Sequence, residues 1–457
     1  MNGPRIYTLP APVRDQKRGD ALLSFVREIL PHRRSLTGEG LRQTLDAIGE
    51  RVPLQIREVF SGTPILDWEA PAEWQVHTAR LSLPDGRCVV DWADNPLHLV
   101  QYSGPRQARM PLAELKPHLH TIPERPDWIP YRTAYWTDDW GFCLRQRTLD
   151  ALEAEIGPDG EVDVFIDSRL TDGAMSIAEC RIEGRSDREI LVSAHACHPA
   201  LANDNASALA VATFAAEALA QADGLRHSIR FIFGPGTVGA LAWLAANPSA
   251  RKTVAAGLVL ANLGDRGDFV YKRTRAGTLG EPLAVDRAVE AVLPDAEIRP
   301  FEPFGYDERQ FNSPGFNLPV GRLTRTPHGE YPEYHTSADD LSLLTPESLE
   351  GSLDAVLAII HALDGNERYL ATRPYGEPML GRYGLYDPVG GKALAPEAQR
   401  AALWLLNLSD GYHDLLDVTA KSGLPFAAVR EAADRLLAAH LLAPAPHDPA
   451  SGADDAS

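Results

Sequence analysis

Residues 189–205 read EILVSAHACHPALANDN, and this stretch decides the fold. Its first six residues form a largely apolar run of strand type, and an alanine-rich run of helical type begins at Ala206. Strand-like runs at residues 229–233 and 257–260 also alternate with helical stretches from Val162 onward. Such alternation predicts an α/β domain in which a mostly parallel sheet is flanked by helices.

Three side chains able to bind a metal follow that strand directly: His195, His198 and Asp204. In open α/β sheets, ligands bind at the carboxyl ends of the strands, where these residues are expected. Imidazoles and a carboxylate suit zinc, and a catalytic zinc keeps one coordination position open for water. Either histidine alone is equally well explained as a core or capping residue. The three residues together predict a metal site.

A second group of polar residues lies far downstream, where residues 330–340 read EYPEYHTSADD. His335, on an irregular loop, is a candidate ligand whose second ring nitrogen Asp339 could orient. A solvent-facing acidic loop that caps the helix expected from Pro346 explains the same residues. Taken alone, this stretch does not separate the two interpretations.

Together the two groups resemble the co-catalytic zinc aminopeptidases, the family that includes the leucyl aminopeptidases and glutamate carboxypeptidases. In that family a strand ends in His-x-Asp, a later Asp-Asn opens a helix and bridges two metals, and a Tyr-His-Thr loop supplies the last ligand. His195, the pair Asp204 and Asn205, and residues 334–336 occupy these places in the same order. The resemblance spans residues 160–370 and implies zinc and amide hydrolysis.

The chain departs from the family's pattern at several positions. The aminopeptidases carry a Glu-Glu pair after the second strand, the first as general base and the second as ligand. Here residues 231–239 read FIFGPGTVG and contain no carboxylate. The Asp of His-x-Asp is Cys197, which cannot orient an imidazole as a carboxylate does. Asp265 corresponds to the family's third-strand Asp only after a shift of one position.

We therefore expect one zinc and not two, held by His195 or His198 together with Asp204 and His335. A nearby carboxylate must accept a proton during attack on an amide. The candidate catalytic residues are three glutamates: Glu308, Glu330 and Glu333. Any one of them is also explained as a surface or ion-pairing residue.

The leading hypothesis is a zinc-dependent, aminopeptidase-like amide hydrolase acting on a small peptide or amino-acid conjugate, whose amino group is anchored near Glu330 or Glu333. Arg309, Arg322 and Arg325 either bind a substrate carboxylate or phosphate, or neutralise those acids. One alternative is a non-hydrolytic binding or scaffold protein that retains the fold. Another is acyl transfer of the glutaminyl cyclase type, which this fold supports with one zinc.

Across nearly its whole length the chain is similar to a group of aminopeptidase-like proteins with a small inserted β module and a C-terminal winged helix. Matching stretches include SLTG at 35–38, WGFC at 140–143, CHP at 197–199 and GEYPEYHT at 329–336. The resemblance implies an α/β fold with an aminopeptidase-like mixed sheet. The expected segments are helices of the peptidase core at 1–54, an inserted β-rich domain at 55–150, the zinc domain at 151–374, a winged helix at 385–445 and a disordered tail at 446–457.

Charge and hydropathy limit the partners. The formal net charge of -19 argues against nucleic-acid binding through bulk electrostatics, which needs clustered Lys and Arg. In the predicted winged helix, nearby acids offset Lys421, Arg430 and Arg435, so we expect protein contact and a homo-oligomer. No apolar run is long enough for a membrane helix, and the first thirty residues lack an apolar leader core. A cytoplasmic protein is expected.

Overall fold

The computed structural model describes residues 16–385 and 396–446. Apart from Pro446, the predicted disordered tail lies outside the described residues. Of the helices in these two ranges, none is both long and apolar enough to cross a membrane.

The strands of the described residues are β1 (Gln55–Phe60), β2 (Pro64–Ile65), β3 (Trp68–Glu69), β4 (Glu73–Ser82), β5 (Cys88–Asp91), β6 (Arg106–Pro111), β7 (Leu119–His120), β8 (Phe142–Cys143), β9 (Glu161–Thr171), β10 (Ala174–Ile182), β11 (Ser186–His195), β12 (His227–Gly234), β13 (Val254–Leu260), β14 (Val270–Lys272), β15 (Glu297–Arg299), β16 (Val320–Thr324), β17 (Arg368–Ala371), β18 (Asp410–Asp414) and β19 (Leu442–Pro444). The α-helices are α1 (Gln16–Ile29), α2 (Glu39–Gly49), α3 (Leu112–Leu115), α4 (Gln146–Ile156), α5 (Ala208–Ala220), α6 (Val238–Ala246), α7 (Ala250–Thr253), α8 (Arg275–Leu279), α9 (Ala284–Val292), α10 (Glu308–Phe311), α11 (Pro346–Gly365), α12 (Pro396–Leu408), α13 (Leu415–Ser422) and α14 (Phe426–Ala438).

The largest sheet has eight strands in the order β1-β10-β12-β11-β13-β16-β14-β15. Its centre, from β12 to β16, is parallel. Towards the edges, β1, β10 and β14 run antiparallel to their inner neighbours. Helices α1, α5, α9 and α11 cover one face, and α6 covers the other together with a smaller sheet. The predicted α/β class with a mixed sheet is confirmed.

Strand β11 lies at the centre of this sheet and is buried on both faces. Ile190, Val192 and Ala194 pack into the core on the helical side, and Leu191 packs into the core on the opposite side. Successive side chains of a strand point to opposite faces, so cover on both faces requires the continuous apolar run seen in the sequence. The strand ends at His195, which places this imidazole at the carboxyl edge of the sheet.

The smaller sheet is antiparallel, in the order β5-β4-β9-β6. Trp74 and Trp92 are buried in its core, whereas Trp68 and Trp136 remain partly exposed. Strand β9 falls in the segment predicted as the zinc domain, yet it pairs with β4 and β6. Strand β1 falls in the segment predicted as the insert, yet it pairs with β10 of the large sheet. Local composition does not record such pairings, and the division into segments stays a prediction.

The C-terminal region combines α12, α13 and α14 with the sheet β18-β17-β19. Residues 410–414 form β18. Helix α13 begins after it because Asp414 accepts the N–H of Asp417 as its N-cap. Arg287 of α9 donates to the carboxylates of both aspartates. These acidic groups therefore fix the C-terminal region to the large α/β domain.

Candidate metal centre

Two loops at the carboxyl edge of the large sheet carry the predicted ligands. After β11 ends at His195, the chain passes through an irregular helical turn at Ala202–Ser207, which contains Asp204 and leads into α5. His335 lies on the loop between β16 and α11. Since β11 and β16 are parallel and both flank β13, their carboxyl ends open on the same side of the sheet.

Asp204 is the centre of the site. Its side chain is 0% exposed, His195 Nε2 lies 3.0 Å from its Oδ1, and His335 Nε2 lies 3.0 Å from its Oδ2. The ring centroid of His198 lies 4.8 Å from that of His195 and 5.1 Å from that of His335. The structure therefore brings together all four residues that the sequence nominated as ligands.

The electrostatics of this cluster suit a metal ion. Burial alone would raise the pKa of Asp204, but His198, His195 and His335 hold it well below its ordinary value. Burial lowers the pKa of His198 well below its ordinary value, so this ring is neutral at pH 7 and keeps a lone pair. Within the described part of the chain, no Lys or Arg nitrogen lies within 4.0 Å of the Asp204 carboxylate. Imidazoles, one of them kept neutral by burial, around a carboxylate that no Lys or Arg of the described residues neutralises are donors that zinc prefers, so these residues fit the metal.

The loop that carries Asp204 is fixed by a second buried carboxylate. Asp339 accepts the backbone N–H groups of Asn203 at 2.6 Å and of Asp204 at 3.0 Å, and it accepts the hydroxyl of Tyr331 at 3.2 Å. Burial raises the pKa of Asp339 to about 7. The sequence suggested that Asp339 orients the imidazole of His335. It orients the backbone of the Asp204 loop instead.

The inserted module contributes directly to the site. The backbone N–H of Tyr131 donates to the carbonyl of His335 at 2.8 Å, and the Tyr131 ring packs edge-on against His198 and His335. Ile129 and Ser337 exchange two further hydrogen bonds, of 2.8 Å and 2.9 Å. This module therefore positions the loop that carries His335.

A cavity of about 330 Å³ opens beside the cluster. Trp68 and Trp136, 45% and 49% exposed, form one wall of it and meet edge to face with ring centroids 5.1 Å apart. The lining residues are Leu36, Trp68, Tyr135, Trp136, His195, Cys197, His198, Gly236, Thr237, Val238, Phe304, Gly305, Tyr306, Asp307, Arg309, His328 and Tyr334. Aromatic side chains thus surround a small space whose inner end carries the imidazoles.

The aminopeptidases carry their Glu-Glu pair in the segment after β12. In this chain, main-chain atoms around Gly236 fill that place. The N–H of Gly236 donates to Cys197 Sγ at 3.2 Å. A Cβ on Gly236 would lie 3.4 Å from that sulfur and 3.5 Å from Cβ of His195. Burial raises the pKa of Cys197 to about 12, so the thiol is protonated at pH 7. This part of the site supplies no carboxylate.

Two families match the chain in succession. A family described as a domain of unknown function, DUF4910, matches residues 23–366, and a winged helix-turn-helix family matches residues 367–444. The chain belongs to the DUF4910 family. The DUF4910 match includes the large sheet, the inserted module and the candidate metal centre. The second match confirms the predicted C-terminal winged helix.

Relatives and solved structures agree with this assignment. A Clostridium acetobutylicum protein, named as a candidate polysaccharide biosynthesis protein with an aminopeptidase-like domain, is 41% identical over 93% of this chain and 96% of its own length. A crystal structure of a candidate peptidase from the same species is 39% identical, with a TM-score of 0.86 over 94% of this chain and 97% of that chain. A zinc aminopeptidase from Bacillus subtilis is 14% identical, with a TM-score of 0.56 over 78% of this chain and 98% of that chain. The aminopeptidase-like fold predicted from the sequence is confirmed.

The three predicted catalytic glutamates do not line the cavity in this DUF4910 protein. Glu308 is 0% exposed and contacts Lys272 Nζ at 2.5 Å. Glu330 is exposed and pairs with Arg299. Glu333 is half-buried, and its backbone carbonyl accepts the hydroxyl of Thr336. Sequence spacing placed these carboxylates near the ligands, but none of the three lines the cavity, and Glu308 and Glu330 pair with cations.

Both carboxylate oxygens of Asp265 are engaged by other side chains. Its Oδ2 accepts the side-chain amide of Asn203 at 2.9 Å, and its Oδ1 accepts the hydroxyl of Thr326 at 2.7 Å. It therefore supports the turn that carries Asp204.

Asp307 is the carboxylate that the sequence reasoning missed. It lines the cavity, and its Oδ1 accepts the backbone N–H of Thr237 at 2.6 Å. Burial raises the pKa of Asp307, against the opposing charge of His195. Its position immediately before Glu308 in the chain could have drawn attention to it. Neighbouring positions of a short helical turn face different surroundings, however, so the two carboxylates do not share one role.

Proposed function

We propose that this protein is a zinc-dependent amide hydrolase of aminopeptidase type, which acts on a small peptide or amino-acid conjugate and uses one zinc. The observation that supports this is the convergence of His195 and His335 on the two oxygens of buried Asp204, beside His198. Asp204 and His335 would hold the metal with His195 or His198. When bound, zinc would polarise an amide carbonyl and supply a water whose pKa is about 7.

Asp307 is the group of the chain best placed to take a proton during amide hydrolysis. Its Oδ1 is held by the backbone of Thr237, and its Oδ2 accepts no hydrogen bond from the described residues. The group lies in the cavity with His195 and His198, on the side where the aminopeptidase Glu pair is replaced by Gly236. A buried carboxylate with a free oxygen can accept a proton from water and pass it to the leaving amine.

The cavity supports a small substrate. Its volume of about 330 Å³ is at the lower end of the range of small-molecule sites. Trp68 and Trp136 come from the inserted module and close one side of it. A long polypeptide would have to displace this wall, so we propose peptides of two or three residues or a conjugate of similar size.

A cytoplasmic location and a homo-oligomeric state are likewise proposals.

Metal content tests the proposal first. Elemental mass spectrometry of the purified chain should give about one zinc per chain, and Asp204→Asn and His335→Ala should lose it, because each change removes a donor that fits zinc. Glu330→Gln, which changes an exposed carboxylate of the same loop, is the matched control and should retain it.

Turnover tests it second. The zinc-loaded protein should convert members of a library of small peptides and amino-acid conjugates into products whose summed mass exceeds that of the substrate by one water. Products that are lighter by ammonia would indicate cyclisation and would contradict hydrolysis. A wild-type chain without zinc, or a zinc-loaded chain inactive on the whole library, would contradict the proposal as well.

A second candidate function is binding without hydrolysis. It is supported by the segment around Gly236, which contains no carboxylate where the aminopeptidases carry base and ligand. In that case the zinc-loaded chain would bind small peptides in the cavity and release them unchanged. Mass spectrometry of the released ligand separates this function from hydrolysis.

A further inference from the structure

The three arginines near the candidate metal centre have different surroundings. Arg322 is buried, and its guanidinium lies 3.4 Å from Glu308 Oε1. The guanidinium of Arg325 donates to three oxygens of the surrounding loops and helix: Ser352 Oγ, Gly267 O and Ser348 O. Both side chains are thus held by the protein itself. Their contacts explain them as structural residues.

Arg309 differs from both. It lines the cavity, and its one hydrogen bond to the described residues is a long contact of 3.4 Å from NH2 to Thr237 Oγ1. Its Nε is buried and has no hydrogen-bond partner there, a feature that it shares with Arg322, but Arg322 has an ion-pair partner and Arg309 has none in the described part of the chain. Nor does any carboxylate oxygen of the described residues lie within 4.0 Å of this guanidinium. A buried N–H donor without a partner is costly and rare in native proteins, so this group has a partner to gain from a ligand.

Neither acid next to Arg309 in sequence forms a close ion pair with it, although the charge of Arg309 acts on Asp307 at longer range. Glu308 is engaged by Lys272 at 2.5 Å and by Arg322 at 3.4 Å. Asp307 directs Oδ1 to the backbone N–H of Thr237 at 2.6 Å. With Arg309 and Asp307 added to the cluster of Lys272, Arg322 and Glu308, the region carries three positive charges against two negative charges. The region around Arg309 therefore keeps one positive charge in excess, which favours an anionic ligand.

We propose that Arg309 binds a carboxylate of the substrate, so that the substrate class is a small peptide or amino-acid conjugate with a free carboxylate. A guanidinium offers parallel N–H donors that match the two oxygens of a carboxylate. This inference rests on the proposed function for the fate of the amide bond, but carboxylate binding itself needs no hydrolysis. Because the cavity is small, the carboxylate and the scissile amide lie within about two residues of one another.

A matched pair of ligands tests the inference. The probes are alanyl-phenylalanine with a reduced CH2–NH linkage in place of the amide, which cannot be hydrolysed, and the same compound as its C-terminal amide. Isothermal titration of the full chain should show that the acid binds about tenfold or more tightly than the amide, the effect expected for hydrogen bonds to a charged group. In Arg309→Gln this preference should disappear, and in Arg309→Lys it should be partly retained. Arg109→Gln, which breaks an exposed ion pair with Asp163 on the inserted module, should leave it unchanged.

Each outcome decides the inference. Equal affinity for acid and amide in the wild type overturns it, and so does a preference for the acid that survives in Arg309→Gln. Absence of binding of the acid at millimolar concentration also overturns it. Zinc content and turnover are measured separately. A chain that lacks zinc but prefers the acid through Arg309 would therefore refute the hydrolase and support carboxylate binding. A chain that binds zinc and hydrolyses peptides but does not prefer the acid would support the hydrolase and refute carboxylate binding.

Discussion

Two fully buried carboxylates lie near the same cavity, and their partners differ. Asp204 and Glu308 are both 0% exposed. Asp204 meets imidazoles at 3.0 Å, whereas Glu308 meets Lys272 at 2.5 Å and Arg322 at 3.4 Å. An imidazole can be neutral and turn its lone pair to a metal, but an ammonium or guanidinium group stays charged and holds the acid in place. Burial alone therefore does not mark a functional carboxylate, and the chemistry of the partners does.

The largest effect on stability should come from Glu308→Gln. This change leaves Lys272 and Arg322 buried without a counter-charge, which costs about 3–5 kcal/mol in the free energy of unfolding. Urea unfolding at pH 7 measures the loss. Zinc content should stay at the wild-type level, because this cluster is separate from the imidazoles.

Glu330→Gln is the control for that change, because its ion pair with Arg299 is solvent-exposed. It should change the free energy of unfolding by no more than about 1 kcal/mol. If Glu308→Gln were as stable as the wild type but inactive with zinc bound, Glu308 would be a catalytic residue, as the sequence suggested. The contrast between Glu308 as a structural carboxylate and Asp204 as a functional one would then be wrong.

Two glycines, one beside the ion cluster of Glu308 and one beside His195, a partner of Asp204, test the comparison of Glu308 with Asp204. A Cβ on Gly305 would lie 2.3 Å from Glu308 Oε1 and 2.7 Å from Arg322 NH1, at a φ of +144°. Gly305→Ala must therefore displace the buried ion cluster and should cost about 2–3 kcal/mol. A Cβ on Gly236, beside the imidazoles, makes contacts of 3.4 Å or longer. Gly236→Ala should cost less than about 1 kcal/mol, and thermal unfolding of the two variants side by side measures the difference. Equal costs would show that the ion cluster is as adaptable as the metal site.

Three predicted ligands, His195, His198 and Asp204, could be found from the sequence because a local pattern places them, whereas His335 was predicted from the resemblance to the zinc aminopeptidases. An apolar run ending in His195 defines a strand end, and in a parallel sheet the strand ends meet at one edge, where Asp204 and His335 also arrive. The same reasoning predicted the α/β class and the winged helix. These features depend on periodicity and chain order, which the sequence records.

The proposed proton acceptor, Asp307, could not be found in this way. Asp307 and Glu308 are adjacent in sequence, but the first lines the cavity and the second joins a buried ion cluster. Only the positions of Lys272 and Arg322, 36 and 14 residues away from Glu308, decide between them. The exchange of β1 and β9 between the two sheets has a similar cause, because strand pairing is set by distant partners.

A third buried carboxylate, Glu73, should have a smaller effect than Glu308, and this effect depends on pH. It is 6% exposed and joins the inserted module to the large domain, since Arg42 donates to it at 2.9 Å and 2.7 Å and the N–H of Ala174 donates at 3.0 Å. The hydrogen bonds from Arg42 lower the pKa of Glu73 from 4.5 to about 2. An acid whose pKa falls on folding stabilises the protein above its unfolded pKa of 4.5, and this contribution is lost as the pH falls towards 2.

Glu73→Gln should therefore cost about 1–2 kcal/mol in the free energy of unfolding at pH 7 and less at pH 3. Urea unfolding at both pH values measures this, with exposed Glu69→Gln as the control, and a cost that is independent of pH would show that packing, and not the charge of Glu73, holds the module in place.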